Sequence, residues 1–186
     1  MSWDDVTRES GGASEKTPYT KFENGATLIR ILDDEPYSFW QHWLAKQNTS
    51  VLCMGKGCPI CDVIKQMKAE GLAPIYNSTQ RHAIRIWNYT TAKMEVLIQG
   101  RTFFSQLLTL HKEVGDIRGY DIKCIRKGSG TDTTYTLLPA APTPFTTTEG
   151  VEEIDMAETF KIPTANEVRQ LMEGKTWAEI NGTDAA

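Results

Sequence analysis

The chain has 186 residues, of which 40% are hydrophobic and 24% are charged, as expected for one globular domain with a core and some additional tail. No apolar run approaches the roughly 20 residues of a membrane-spanning helix, and no segment resembles a signal peptide. We therefore expect an intracellular protein without a membrane partner. In a reducing compartment, clustered cysteines indicate a metal site or catalysis rather than disulfides.

The formal net charge of -4 is distributed unevenly along the chain. Residues 1–16 carry a net charge of -2, residues 17–139 carry +4, and residues 140–186 carry -6. A positive middle between acidic ends is the pattern expected when the body of a protein binds a polyanion and its tail has another role. A solvated surface without a ligand is the alternative explanation.

The first predicted elements are an arm followed by a series of strands. Residues 1–21 are polar and lack periodicity, which predicts an extended arm. Six later segments have the β-branched and aromatic residues and the partial alternation of strands. They cover residues 26–32, 36–44, 81–89, 93–99, 120–127 and 133–139. The turn residues 90–92 and 128–132 predict two hairpins.

Helical patterns are fewer. Residues 61–71 and 101–115 predict helices that end at glycines, and residues 164–174 predict a helix that begins with a capping box of Thr164 and Glu167. Short strands with one helix between the fourth and fifth predict a mainly β fold, a small closed OB-type barrel. We expect this domain over residues 22–140, with a cysteine insert over residues 42–72. An acidic linker and tail with a short helix follow over residues 141–186.

Three of the four cysteines, Cys53, Cys58 and Cys61, lie within nine residues. The Cys58-Cys61 pair alone is compatible with a thioredoxin-like dithiol, but such a motif follows a strand in a βαβ arrangement, and the predicted strands form hairpins. With His42, the cysteines make the Cys₃His set of a structural zinc site, in which four protein ligands leave no position for a substrate. We therefore predict one structural Zn²⁺.

The other histidines leave the fourth ligand open. His82 and His111 are the alternatives to His42, which lies between two tryptophans and is also compatible with a packed strand residue. Trp40 and Trp43 are expected to cover the cysteine insert or the core. Cys124 alternates with Ile122 on a strand and is most simply a buried apolar residue.

Alternation along residues 81–89 separates two faces of one strand. One face carries Ile84 and Ile86, and the other carries two guanidinium groups and two aromatic rings, from Arg81, Arg85, Trp87 and Tyr89. Cations along a phosphate path and rings on which bases stack are what non-specific binding of single strands requires. A secondary apolar patch is the alternative role of the two rings.

The last predicted hairpin adds further candidates for DNA contact. Lys123, Arg126 and Lys127 place three cations beside its glycine-rich turn, where a solvated loop is the alternative explanation. Tyr135, on the strand that follows, is a candidate for base stacking.

With its Cys₃His insert, the chain resembles the phage-encoded single-stranded DNA-binding proteins, the helix-destabilising proteins of the T-even phage type. The ligand order from His42 to Cys61 carries the resemblance, together with "IYNSTQRHAIRIWNY", "KMEVLIQGRTFFSQLL" and "YDIKCIRKGSGTDTTYTLLP". It covers about residues 22–140. It implies an OB-fold protein that coats single-stranded DNA in phage replication, recombination and repair, in the cytoplasm of an infected bacterial host. Tyr76 is a DNA contact on this resemblance alone.

Two departures from the family concern the ends of the chain. The family's archetype has a short basic arm for cooperative self-association, whereas this arm is acidic, so we do not expect tight cooperativity. The tail is shorter and less acidic, but it keeps the sign expected for recruiting replication or recombination proteins. Residues 149–158 contain five acids and no base, which predicts competition with DNA or partner binding. Truncation after Pro144 is then expected to preserve or raise DNA affinity.

The sequence contains no nucleotide-binding loop and no serine-histidine-acid set, so we expect neither an enzyme nor a small-molecule substrate. Two hypotheses from other classes remain. One is a thiol oxidoreductase that uses Cys58 and Cys61, and the other is a zinc-ribbon interaction module of a replication or transcription complex.

Overall fold

The computed structural model describes residues 17–142, 144–145 and 153–182. This part of the chain contains seven strands: β1 (Gly25–Ile31), β2 (Tyr37–Leu44), β3 (Thr49–Leu52), β4 (Ser78–Asn88), β5 (Lys93–Gln99), β6 (Tyr120–Lys127) and β7 (Thr134–Pro142). It also contains five α-helices: α1 (Pro59–Ala69), α2 (Arg101–Val114), α3 (Met156–Thr159), α4 (Ala165–Met172) and α5 (Trp177–Asn181). No helix in these ranges is both long and apolar enough to cross a membrane.

The strands form one mainly antiparallel sheet in the order β3-β2-β4-β1-β6-β7, and β5 also pairs with β4. Over the described residues this sheet is not closed. The predicted class, mainly β with a few short helices, is confirmed. Both predicted hairpins are present, since β4 pairs with β5 and β6 pairs with β7.

The chain divides into two compact units. The larger, which we call the sheet unit, contains residues 17–38 and 81–155 as far as they are described. One face of its sheet packs with α2 around a single apolar core, in agreement with the strand period of two. The core side chains include Ile29, Ile31, Ile84, Ile86, Leu97, Phe103, Leu107, Ile122, Cys124 and Leu137. The prediction that Cys124 is a buried apolar residue is confirmed.

The second unit, which we call the cysteine unit, contains residues 39–80 and 156–182. Its core joins side chains from β2, β3 and α1 to two from α4: Leu44, Val51, Cys58, Ile60, Val168 and Leu171. The predicted capping box is present at α4, where the Thr164 hydroxyl accepts from the Glu167 backbone N–H. Residues 156–182, predicted as part of a linker and tail, therefore contribute to a packed unit.

Three short elements, β3, α3 and α5, were not predicted. β3 and α3 each contain four residues and α5 contains five, which is too short for a period of two or 3.6 to be recognised in sequence. Most of the predicted arm, residues 1–16, lies outside the described residues. Within its last part, Tyr19 forms a bridge with Val96, and the Thr20 N–H donates to the Val96 carbonyl at 3.0 Å.

Candidate metal centre

Four side chains of the cysteine unit converge on one point. The ligand atoms of His42, Cys53, Cys58 and Cys61 all lie within 4.8 Å of one another. None of the four cysteines forms a disulfide. The predicted Cys₃His cluster is therefore confirmed, with His42 as its histidine.

The hairpin of β2 and β3 brings the first two ligands together. His42 lies opposite Val51 in the register, and the Cys53 N–H extends the ladder by donating to the Trp40 carbonyl at 2.8 Å. The turn between the strands places Asn48 at a φ of 51°, a left-handed conformation that asparagine tolerates better than most residues. Cys53, whose N–H extends the ladder, is thus a candidate metal ligand.

The loop after Cys53 depends on two glycines. Gly55 and Gly57 have φ values of 73° and 80°, in the left-handed region that glycine adopts without steric cost. The Gly55 N–H donates to the Cys53 sulfur at 3.4 Å, and the Cys58 N–H donates to the Gly55 carbonyl at 3.3 Å. This turn carries the chain into α1, so that Cys61 lies in the first turn of the helix.

The distances within the cluster match a tetrahedral zinc site. His42 Nε2 lies 3.6 Å from Cys58 Sγ and 3.5 Å from Cys61 Sγ, and the sulfurs of Cys53 and Cys61 are 3.5 Å apart. Bond lengths of about 2.0 to 2.3 Å to a central Zn²⁺ give tetrahedral edges of about 3.5 to 3.8 Å. Three of the six edges of the cluster therefore match a tetrahedral site for a small thiophilic cation.

The protonation of the cluster favours a cation as well. Burial lowers the pKa of His42, which keeps the imidazole in the neutral form that binds metals. Its Nδ1 lies 3.2 Å from the Asn77 carbonyl, and an Nδ1–H donated to that oxygen leaves the Nε2 lone pair for the metal. Burial, followed by the nearby Cys53 and Cys58, raises the pKa of the Cys61 thiol to about 12. A cation bound at the centre would stabilise the Cys61 thiolate and so oppose this rise in pKa.

The surroundings of the cluster are apolar. His42 and Cys58 are completely buried, and the cluster lies within the core that includes Val168 and Leu171. Four protein ligands and this cover leave no open position for a substrate, as in structural sites. Tyr76, predicted as a DNA contact, packs against the same core. Trp40, predicted as a cover for the insert or core, is 50% exposed.

In the sheet unit, the register shows which predicted DNA contacts share a face. Arg30 lies opposite Trp87, and Leu28 lies opposite Lys123. Residues two apart on a strand point to the same side of the sheet. Arg85 therefore lies on the same face as Trp87, and Leu28 lies on the same face as Arg30. We call this surface, opposite the core, the outer face. It carries Leu28, Arg30, Arg85, Trp87, Asp121 and Lys123.

Two of the predicted DNA contacts are engaged with other parts of the chain. Arg85 forms ion pairs with Asp33 and Glu153, both at 2.7 Å, which raise its pKa. Trp87 is only 5% exposed, and its ring centroid lies 6.0 Å from that of Phe145 in an edge contact.

The remaining candidates differ in exposure. Lys123 and Lys127 are exposed, whereas Arg81 and Arg126 are partly exposed, and Arg126 donates to Asn24 at 3.1 Å.

The two tyrosines differ as well. Tyr89 is 36% exposed, with its hydroxyl donating to Asp121 at 2.7 Å. Tyr135 lies against the core, with its ring centroid 5.3 Å from that of Phe103.

Sequence reasoning missed Arg30 and Phe145. Arg30 interrupts the apolar run of β1 between Ile29 and Ile31, and it alternates with them onto the outer face. An isolated arginine within an apolar strand was the sequence feature that could have identified Arg30 as part of this face. Phe145 lies in a Pro/Thr-rich segment without periodicity, so nothing local indicated its contact with Arg30, whose guanidinium carbon lies 5.5 Å from the Phe145 ring centroid.

Comparisons of the chain with family models, with curated proteins and with solved structures found no match.

Proposed function

We propose that this chain binds single-stranded DNA without sequence preference through the outer face of the sheet unit. The observation that carries the proposal is the strand order of that unit, together with the charges and rings on its outer face. We further propose that the Cys₃His cluster holds one structural Zn²⁺.

The strand order supports an OB-type fold. Within the sheet unit the strands pair in the order β5-β4-β1-β6-β7, with α2 between β5 and β6 in the chain. Five strands in a Greek-key barrel that is partly open are typical of the OB fold, which binds oligonucleotides on its second and third strands and on the loops after its first and fourth. Here the corresponding elements of the sheet unit are β4 and β5, residues 32–38, and residues 128–133.

The chemistry of these elements supports a polyanionic, aromatic ligand. The exposed cations Lys123 and Lys127 lie on β6, beside the turn of residues 128–133. Residues 17–139 carry a net charge of +4, which favours association with phosphates. The half-exposed ring of Tyr89, just after β4, offers a surface for base stacking.

Zinc is the metal that best suits the donor set. Three thiolates and one imidazole are soft and borderline ligands, and a closed tetrahedral arrangement is typical of structural zinc. In this proposal the metal stabilises the cysteine unit and takes no part in a reaction.

The resemblance to the phage proteins adds a biological role to the proposal. Coating of single strands in replication, recombination and repair, in the cytoplasm of an infected bacterium, fits a sequence-independent mode of binding. The acidic segment of residues 149–158 would recruit replication or recombination proteins, and its residues 149–152 lie outside the described residues.

A competition titration tests the proposal. A fluorescent oligo-dT should gain anisotropy when the full-length protein is added, and unlabelled mixed-sequence single strands should displace it as well as dT does. A duplex of the same length should compete clearly less well, because its bases are stacked and paired. Equal competition by the duplex would contradict the proposal.

One observation favours a second candidate, the zinc-ribbon interaction module. Trp40, Leu72, Ile75 and Ile162 of the cysteine unit are all at least half exposed, and large exposed apolar side chains are common where proteins bind one another. A folded, zinc-loaded chain that fails to bind oligo-dT would make this the better account. A thiol oxidoreductase is less favoured, because Cys58 is completely buried and clustered with His42, Cys53 and Cys61, whereas reactive cysteines are partly exposed.

A further inference from the structure

The strongest unexplained feature of the outer face is the position of Phe145. Its ring lies against two cross-strand partners, with its centroid 5.5 Å from the Arg30 guanidinium carbon and 6.0 Å from the Trp87 ring centroid. Arginine and tryptophan side by side form a surface on which planar rings stack, through cation–π and aromatic contacts. An aromatic ring of the chain therefore covers the Arg30–Trp87 pair.

The Arg30 side of this surface is held in place by other residues. The Arg30 side chain is 2% exposed, and its Nε and Nη2 each lie 2.7 Å from Asp121 Oδ1. Its Nη1 donates to the Arg118 carbonyl at 2.9 Å. With its edges fixed in this way, the guanidinium can offer only its flat face to a ligand. A guanidinium that is already ordered loses little entropy when a ring binds.

A second guanidinium, that of Arg85, lies beside this surface. Arg85 is two residues from Trp87 on the same strand and face, about 6.6 Å along β4. Asp33 holds its Nε and Nη2, each at 2.7 Å. Its Nη1 instead contacts Glu153, also at 2.7 Å.

The two acids differ in accessibility. The Asp33 side chain is 14% exposed, whereas that of Glu153 is 79% exposed. Asp33 therefore fixes the position of Arg85, and the Glu153 carboxylate is the exchangeable partner. Guanidinium groups bind phosphate with the same geometry as carboxylate.

We propose that Arg30, Trp87 and Arg85 form a subsite for one unpaired nucleotide of a single strand. The base takes the place of the Phe145 ring against Arg30 and Trp87, and a phosphate takes the place of the Glu153 carboxylate on Arg85. Arg30 is the stacking residue that this assignment adds. The inference rests on the proposed function, because it names the part of the outer face where a nucleotide enters.

The assignment has a measurable consequence. When the chain's own ring and carboxylate fill the subsite, the apparent affinity for DNA is reduced by the fraction of molecules in which the subsite is open. Removing Phe145 should therefore raise affinity for DNA, although it removes a contact from the folded protein. A residue with only a packing role would have no such effect.

The experiment compares matched variants of the full-length chain in an oligo-dT titration. Phe145→Ala should bind dT about threefold to tenfold more tightly than the parent, whereas Leu108→Ala, which removes a 53% exposed apolar side chain from α2, should bind like the parent. Glu153→Gln should also raise affinity, and more than Glu158→Gln, which makes the same change of charge at a residue paired with Lys161. Melting temperatures establish that each variant is folded.

A second measurement does not depend on these substitutions. Oligo-dT that carries 5-iodouracil is crosslinked to the parent protein by light, and mass spectrometry locates the modified residue. The inference expects a crosslink at Trp87.

The outcomes separate the two proposals. If the parent binds dT but Phe145→Ala binds no more tightly than Leu108→Ala, or if crosslinks form only away from Trp87, the subsite is wrong and the proposed function stands. If folded parent and variants all fail to bind dT, both proposals are wrong.

Discussion

The Nε2 atom of His42 lies 3.6 Å from the Sγ atom of Cys58, and both residues are completely buried. A neutral imidazole and a thiol at this distance make only a weak hydrogen bond. The same distance is one edge of a tetrahedron around Zn²⁺. The contact joins β2 to the start of α1, so a bound metal would hold these two elements of the cysteine unit together.

The first prediction is one Zn²⁺ per chain, removed by substitution of a single ligand. Cys58→Ser should reduce the zinc content below half an equivalent and lower the melting temperature by several degrees, because metal binding and folding of such a site are coupled. Metal analysis by mass spectrometry and a thermal melt measure the two effects. Cys124→Ala, which removes a buried thiol from the other unit, should keep a full equivalent. Unchanged zinc in Cys58→Ser would refute the assigned ligand set.

The second prediction concerns α4 as part of the cysteine unit. Leu171 is completely buried there, so Leu171→Ala should cost about 2 to 5 kcal/mol of unfolding free energy. It should also speed the release of zinc to a chelator. Ile162→Ala, at a side chain 55% exposed, should change the unfolding free energy by less than about 0.5 kcal/mol. Equal effects of the two substitutions would show that α4 does not pack against the metal-binding core.

This packing also changes how the acidic tail should be tested. Truncation after Pro144, expected from the sequence to preserve or raise DNA affinity, would remove Val168 and Leu171 from the core. A loss of affinity in that variant would then report damage to the cysteine unit as well as any role of the tail. Substitution of single acids by amides separates the two effects.

The third prediction is the acid sensitivity of the α4 capping box. Hydrogen bonds from the Thr164 backbone and hydroxyl to the Glu167 carboxylate lower the pKa of Glu167 from its ordinary value of 4.5. The resulting stabilisation is therefore present above pH 4.5 and is lost as the pH falls through the lower pKa of the folded state. Thr164→Ala should cost about 1 kcal/mol at neutral pH.

Denaturant titrations at several pH values measure this effect. The difference between Thr164→Ala and the parent should shrink as the pH falls below 4.5. Thr109→Ala is the matched control, because Thr109 is exposed within α2 and its loss should leave the stability nearly unchanged. A Thr164→Ala effect that stays constant from pH 7 to pH 3 would contradict the assigned role of Glu167.

Local patterns made most of the strands and the metal ligands predictable. β5 and β6 have the predicted bounds, because alternation and turn residues mark both ends. The set of Cys53, Cys58 and Cys61 was predictable because ligands on one turn and the helix after it have a characteristic spacing. The capping box was predictable for the same reason, since Thr164 and Glu167 lie three residues apart.

Contacts between distant segments could not be predicted in this way. Alternation placed Trp87 on the polar face of β4, but the structure buries it, with Phe145 against its ring. Phe145 lies in a segment without periodicity. The ion pair of Arg85 with Glu153 depends on the same segment. The packing of Leu171 against the cysteine unit likewise depends on tertiary contacts, because an acidic composition alone favours a solvated tail.

The measurement that tests the central claim most directly is the salt dependence of oligo-dT binding in two matched lysine variants. Lys123 is an exposed residue of the outer face, and Lys65 is a 79% exposed residue of α1 in the cysteine unit. Lys123 is preferable to Arg85 here, because removing Arg85 would leave Asp33 without its ion pair.

For the parent protein, log affinity should fall linearly with log salt concentration, because bound phosphates release counterions. Lys123→Gln should make this slope shallower by roughly 0.7, the value for one phosphate contact on a single strand, and Lys65→Gln should reproduce the parent slope. A parent affinity that is independent of salt, or a Lys65→Gln slope that changes as much as that of Lys123→Gln, would contradict binding of single-stranded DNA by the outer face.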